Sequence, residues 1–324
     1  MASPIRQQLA LRAGYLDRAR AYFASHGVLE VETPLLSNYA VTDPHVECLT
    51  AGTRQFLRPS PEYALKRLLS KGSGDIYEIG KVFRQGECSS RHNPEFTLVE
   101  WYRLGFDLQA IINDTVDFIR AVAADSRYPI TQVKQLKYAE LFAHYAGIDP
   151  LAESSETLSR YAVAKLGEQL SKDLPGALGR DRQAWLDLIM THIIEPALQQ
   201  SEPDTLIAVT HYPAAQALLA KLSDKHPGTA ERFEIYYRGN ELANGFFELQ
   251  DPVEQRRRFM LDRQQRAAVG LPVHAIDEAL LTALSDGLPE CSGVAIGLDR
   301  LIMSCEGYSR IADTLALSEQ NNQQ

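Results

Sequence analysis

Residues 91–102 read RHNPEFTLVEWY. In an extended strand side chains alternate, so Phe96, Leu98, Glu100 and Tyr102 share one face, and Thr97, Val99 and Trp101 share the other. A buried carboxylate is costly unless it is paired, so the face that carries Glu100 asks for a cation. Arg84 stands where an apolar stretch gives way to a polar loop. It could hold a phosphate through two parallel hydrogen bonds, although a solvated arginine at a strand end fits the same position. Arg300 follows GVAIG (293–297), near a predicted helix start, where free N–H groups and the helix dipole favour anions. Glycines in such a run also serve turns and close packing. Glu234 and Glu241 flank a predicted turn at Gly239-Asn240. In a two-residue hairpin both acids share one face, which suits a magnesium ion that also holds phosphates, and equally a solvated acidic face. Asn244, Phe246 and Glu248 alternate on the opposite face. They reach one pocket with those acids only if Gly245 marks a bulge or kink.

The elements that must position these groups follow from periodicity and punctuation. Ile5, Leu9, Arg12, Leu16, Ala19 and Phe23 follow helical spacing, with Gly27 as a stop. VLEVETP (28–34) reads as a short strand ended by Pro34. Ser60-Pro61-Glu62 reads as an N-cap, a proline at the first helical position and a first-turn acid, opening a helix through Leu69. DIYEIGKVFR (75–84) is apolar enough for a buried strand, and with the strand that ends at Tyr102 it forms a long antiparallel hairpin. Residues 105–230 are mainly helical, with breaks at Pro129, Asp149-Pro150 and Pro175-Gly176. FEIYYRGNELANGFFEL (233–249) is a second hairpin. Asp251-Pro252 with Glu254 starts another helix. GVAIGLDRLIM (293–303) is expected to be a Gly-rich turn that runs into a helix, and SEQNNQQ a polar tail. The expected fold class is α+β, as one domain over residues 1–324 with a helical insertion around 105–230.

The chain has 324 residues, 45% hydrophobic and 23% charged, the ordinary globular range. Its net charge of −9 supplies no overall basic field for nucleic acid. The cysteines Cys48, Cys88, Cys291 and Cys305 form no C-x-x-C pair, so reduced thiols are expected. The N-terminal stretch is interrupted by charges, and nothing approaches a membrane span. A soluble cytoplasmic protein is expected, with no membrane partner.

Three ordered segments carry a resemblance. VETP (31–34) resembles motif 1 of the class II aminoacyl-tRNA synthetases, FRQGECSSRHNPEFT (83–97) their motif 2, and GVAIGLDR (293–300) their motif 3. SPEY (60–63), RHNPEFT with EWY, and NELANGFFEL (240–249) are similar to the lysine-specific branch. The chain departs from a lysyl-tRNA synthetase in three ways. Motif 1 begins at residue 31, which leaves no room before it for an OB-fold anticodon-binding domain. Arg84-Gln85-Gly86-Glu87 stands where R-N-E-G is usual, and Ala295 stands where glycine is usual. Together these features resemble the elongation factor P–lysine ligases, truncated paralogues of lysyl-tRNA synthetase.

The resemblance implies the class II catalytic fold, an antiparallel β-sheet flanked by helices, with motif 1 at a homodimer interface. It implies that ATP lies between Phe96 and Arg300, that Arg84 and Arg300 are the catalytic cations, and that Gln85, Gly86, Asn93, Glu241, Leu242 and Gly297 complete the nucleotide site. Glu234 and Glu241 would hold Mg2+. Ser60, Pro61 and Glu62 would receive the substrate's amino end, Glu100, Tyr102, Asn244 and Glu248 its distal ammonium, and the methyl of Ala295 would shape the pocket. The implied reaction activates (R)-β-lysine, or lysine, as an acyl-adenylate and transfers it to a lysine of elongation factor P. A free-standing enzyme that charges tRNA would call for an anticodon module or a basic surface. A non-catalytic regulator would have lost Arg84, Glu234, Glu241 or Arg300, and all four are present.

Overall fold

The computed structural model describes residues 3–167, 170–171 and 174–318. The chain divides into two compact units, Met1–Pro129 with Gly245–Gln324, and Ile130–Asn244. Most of the expected polar tail lies outside the described residues.

The first unit opens with α1 (Pro4–Ser25), capped by Ser3, whose hydroxyl accepts from the Arg6 N–H at 3.4 Å. Its buried residues are Tyr15, Ala19, Tyr22 and Phe23, whereas Ile5 and Leu9 are 49% and 53% exposed. The aromatic rings set which way the helix faces: Phe23 stacks on Tyr77 at 4.0 Å and tilts against Phe118 at 5.1 Å. The stretch expected as a strand over 28–34 is strand only at β1 (Leu29–Glu30), paired parallel to Ile76 and Tyr77. The chain then turns into a separate three-stranded sheet of β2 (Leu36–Ser37), β3 (Thr50–Ala51) and β4 (Gln55–Leu57). After α2 (Glu62–Leu69) come β5 (Ile76–Phe83) and β6 (Glu95–Leu104), antiparallel from Ile76↔Tyr102 to Phe83↔Glu95, which is the expected hairpin. Helix α3 (Leu108–Val122) is capped by Asp107.

The second unit holds β7 (Gln132–Lys137), α4 (Tyr138–Ala146), α5 (Ser155–Leu166), α6 (Leu174–Leu178), α7 (Arg182–Ile189), α8 (Glu195–Ser201), β8 (Thr205–Thr210), β9 (Arg232–Tyr237) and the first five residues of β10 (Asn240–Phe247). Its strand order is β10-β9-β8-β7, with β7 and β8 parallel. The segment 105–230 thus contributes two strands as well as helices. The β9–β10 turn falls on Arg238 (φ 52°) and Gly239 (φ 70°), one residue earlier than expected. Positive φ at both positions is what a tight hairpin turn requires. Gly239 is also fixed by space, since a Cβ there would lie 2.6 Å from the Glu195 carbonyl oxygen.

The rest of the first unit contains α9 (Pro252–Ala268), α10 (Glu278–Gly287), β11 (Cys291–Gly297) and α11 (Leu298–Glu306). Here the structure corrects the sequence reading: GVAIG is not a turn but part of a strand, antiparallel to β6 from Cys291↔Leu104 to Gly297↔Leu98. The glycines mislead because one of them serves packing. A Cβ on Gly293 would meet the Tyr102 ring at 2.3 Å. The strand order in this unit, β1-β5-β6-β11, is antiparallel through its centre and parallel at the β1 edge. The fold is α+β, with sheet flanked by helices. Among the described residues no helix is long and apolar enough to cross a membrane.

Candidate active site

Strand β6 separates two environments by its pleat. Trp101 points away from the candidate site into the core, its Nε1 donating to Asp114 Oδ2 at 2.9 Å. On the other face Glu100 is buried between Ser60, whose hydroxyl donates to Oε2 at 2.8 Å, and Tyr102, whose hydroxyl donates to Oε1 at 2.9 Å. Ser60 also accepts from the Glu62 N–H at 3.0 Å, although the helix cap itself falls one residue later, on Pro61. Lys66, one turn after Glu62, reaches Glu62 Oε1 at 2.7 Å and Glu248 Oε2 at 2.6 Å. Glu248 is buried just beyond β10, and its Oε1 has no donor among the described residues. That oxygen lies 2.8 Å from where a Cβ on Gly293 would be. Ala295 pairs with Glu100 across β6 and β11, so its methyl shares the face of the carboxylate. Burial pushes both Glu100 and Glu248 above the ordinary carboxylate range. Repulsion from Glu62 adds to this in both, while Lys66 pulls each the other way. The pull of Glu248 and Glu62 outweighs burial at Lys66 and holds its ammonium above its usual range.

Arg84, Phe96 and Arg300 belong to the same unit. The Arg84 guanidinium lies 5.1 Å over the Phe96 ring, donates to the Pro59 carbonyl at 3.3 Å and pairs with Glu87 at 3.4 Å. Glu87 therefore touches the arginine of motif 2. The Gln85 N–H donates to the Glu47 carbonyl, Gly86 turns the loop with φ +80°, and Asn93 Nδ2 donates to the Glu95 carbonyl at 2.5 Å. Arg300, two residues into α11, is close enough to help depress the His92 pKa, behind burial as the larger cause. Gly297, at the start of that helix, has φ −72°, and a Cβ there would meet only Arg300 Cβ at 3.7 Å. The fold itself would accept a side chain at this position. Beside it, the buried Asp299 accepts from the Thr97 N–H at 2.8 Å and from Arg12 at 2.5 Å, and Arg12 also donates to the Thr97 hydroxyl at 2.8 Å. This latch ties the residue before Arg300 to the residue after Phe96.

In the second unit Glu234 is buried. Its Oε1 meets Arg232 at 2.5 Å, and its Oε2 accepts from Tyr212 at 2.6 Å and Tyr236 at 2.5 Å. Arg232 Nε also donates to Asn244 Oδ1 at 3.2 Å, so one guanidinium joins Glu234 and Asn244 despite the face conflict in the simple alternation. Burial works against the charge on Arg232, and Glu234, Tyr212 and then Glu241 outweigh it, which puts Glu241 near the same group. Leu242 is buried. Among the described residues no group of three or more His, Cys, Asp or Glu could hold a metal on its own. A carboxylate offers about four lone-pair sites, and the three donors on Glu234 leave room for one more. With Glu241 near it, Glu234 could supply the one or two carboxylates that an ion such as Mg2+ takes beside waters and phosphate oxygens.

Comparison with known proteins gives a consistent answer. A family described as tRNA synthetases class II (D, K and N) matches residues 1–321. An elongation factor P–(R)-β-lysine ligase of Avibacterium paragallinarum is 40% identical over 324 residues, 97% of this chain and 96% of the relative. Those of Haemophilus influenzae (strain PittGG) and Proteus mirabilis (strain HI4320) are 41% and 42% identical, over 97% and 95% of this chain and 96% and 94% of the relatives. The chain belongs to the elongation factor P–(R)-β-lysine ligase family of class II synthetases.

Within that family frame, reasoning from the sequence overlooked Lys66, Arg12 and Asp299. Lys66 had a signal, its i,i+4 spacing from Glu62, which places both on one helix face. Arg12 and Asp299 had none, because 287 residues separate them.

Proposed function

We propose that this chain activates (R)-β-lysine, or lysine, with ATP and joins it to the ε-amine of a lysine of elongation factor P. The observation that carries this reading is the buried acceptor Oε1 of Glu248, without a donor among the described residues, beside a second buried carboxylate at Glu100. A buried acceptor of this kind rewards a substrate that brings an ammonium and rejects one that lacks it.

In the first step a substrate carboxylate oxygen attacks the α-phosphorus of ATP, the bond to the β-phosphate oxygen breaks, and pyrophosphate leaves. Arg84 and Arg300 act by position and charge on the phosphates. The adenine stacks on Phe96, Asn93 contacts the nucleotide, and Gln85 and Gly86 complete this unit's part of the site. Close approach of the nucleotide gives Gly297 a reason that the fold does not. Glu234 and Glu241 would hold Mg2+, which when bound neutralises phosphate charge. Ser60, Pro61 and Glu62 receive the proximal amine. Glu100, Tyr102 and Glu248 receive the distal ammonium. In the second step the deprotonated amine of the acceptor lysine attacks the acyl carbon, an amide bond forms, AMP leaves with the electron pair of the broken acyl–phosphate anhydride C–O bond, and the amine's remaining extra proton passes to solvent.

We infer a cytoplasmic enzyme, because the acceptor is a translation factor, and a homodimer through motif 1. Leu29, Leu35 and Leu36, exposed at 58%, 43% and 46%, support that interface. The test is incubation with ATP, (R)-β-lysine and either elongation factor P or lysine tRNA, followed by intact-mass analysis. A mass gain on the protein acceptor is expected. A gain on the tRNA with none on the protein would overturn the proposal.

A further inference from the structure

Lys66 is a buried lysine on α2 whose ammonium sits between Glu62 and Glu248 at 2.7 and 2.6 Å. With Glu100 these groups make a pocket of three carboxylates and one resident ammonium. The other groups that face them are Ser60, Tyr102 and Cys291, and burial keeps Tyr102 and Cys291 in their neutral forms. Glu78, which pairs with Glu100 across the strands, is already matched by Arg58 at 2.6 Å and by the Thr33 hydroxyl. It does not enter the count.

We propose that Lys66 is the positioning residue that sets substrate specificity: it aims Glu62 and Glu248 and cancels one of the three carboxylate charges, leaving the pocket matched to a substrate with two ammonium groups. The inference rests on the function proposed above. Two features of the pocket support it. The Lys66 ammonium lies 2.6 Å from Glu248 Oε2, while Oε1, 2.8 Å from where a Cβ on Gly293 would be, has neither an ion-pair nor a hydrogen-bond partner among the described residues. The second is the environment of the carboxylates. Removing Lys66 would leave two buried acids, Glu100 and Glu248, beside the partly buried Glu62, and buried acids so placed take up protons instead of staying ionised. A protonated carboxyl no longer discriminates for an ammonium. With Lys66 in place, a monoamine leaves one buried negative charge unmatched, while a diamino acid matches both.

The test uses amino-acid-dependent pyrophosphate exchange on the whole chain with α-lysine, (R)-β-lysine and norleucine, the last being the lysine skeleton without its distal ammonium. Lys66→Met should raise KM for the diamino acids by about 100-fold, the scale of a broken buried pair. It should lower kcat much less, leave KM for ATP within twofold, and narrow the preference for lysine over norleucine. The pH at which KM reaches its plateau should move upward, because the carboxylates then hold protons to higher pH. A purely structural role would not move that profile. Lys66→Gln, which keeps donors and lacks the charge, carries the same measurements if the methionine variant does not fold. An active wild type with unchanged KM, preference and pH profile in the variant overturns this inference alone. A wild type without exchange for either diamino acid overturns the parent function, and this inference with it.

Discussion

A methyl group on residue 293 would lie 2.3 Å from a Tyr102 ring carbon and 2.8 Å from Glu248 Oε1. Gly293→Ala must therefore push the tyrosine or the carboxylate out of place. We expect a loss of amino-acid-dependent pyrophosphate exchange of about 100-fold, with an overpacking cost of about 1–3 kcal/mol. Exchange rates together with a denaturant titration separate the two, and wild-type exchange would show that this space is not used by substrate. Ala295 tests substrate shape instead. Its methyl shares a face with Glu100, so Ala295→Gly should improve the use of α-lysine relative to (R)-β-lysine, by up to about tenfold for one methyl group. An unchanged ratio of kcat/KM values would remove that role. At this scale the sequence was readable where period 2 applied, as in Phe96, Glu100 and Tyr102. Its signal at Lys66, the i,i+4 spacing from Glu62, was ambiguous, since such an acid–base pair on a helix looks the same whether buried or solvated.

Among elements, α1 does more than cover the sheet. Its Arg12 holds Asp299 and Thr97, and so fixes the positions of Arg300 and Phe96 without touching either. Arg12→Ala leaves a buried carboxylate with one fewer cation and should cost about 3 kcal/mol or more. It should also raise KM for ATP severalfold while KM for lysine changes little. Thermal melts and separate titrations of the two substrates check this, and a matched rise in both KM values would argue for general loosening. The hairpin of β5 and β6 was legible because its alternation is long and its loop polar. β11 was not, because glycine reads as a turn residue unless its neighbour across the sheet is known. The β9–β10 turn slipped by one residue because Arg238, with φ 52°, is not a residue that advertises a left-handed backbone.

At the scale of the molecule, buried carboxylates make binding and stability respond to pH in opposite senses. Glu100 and Glu248 have raised pKa values, chiefly from burial, so the folded protein binds more protons than the unfolded chain between the ordinary carboxylate range and the raised values. Their contribution to the stability of the ligand-free protein is present below that window and is lost as pH rises through it. A bound diammonium substrate favours the ionised acids, so its binding should release protons and tighten with rising pH. Calorimetry in buffers of different ionisation enthalpy measures that release, and its absence near neutral pH would contradict the assigned pairing.

The latch between Thr97 and Asp299 spans 202 residues, and β11 is the partner strand of β6. On the ribosome, β5 and β6 emerge long before β11, with the whole second unit made in between. Until the last part of the chain arrives, the β6 edge that will meet β11 stays open. An open edge of that kind is prone to wrong pairing. The nascent chain therefore depends on protection of one strand edge for most of its synthesis, and mutations that slow the docking of β11 will lower yield before they lower activity.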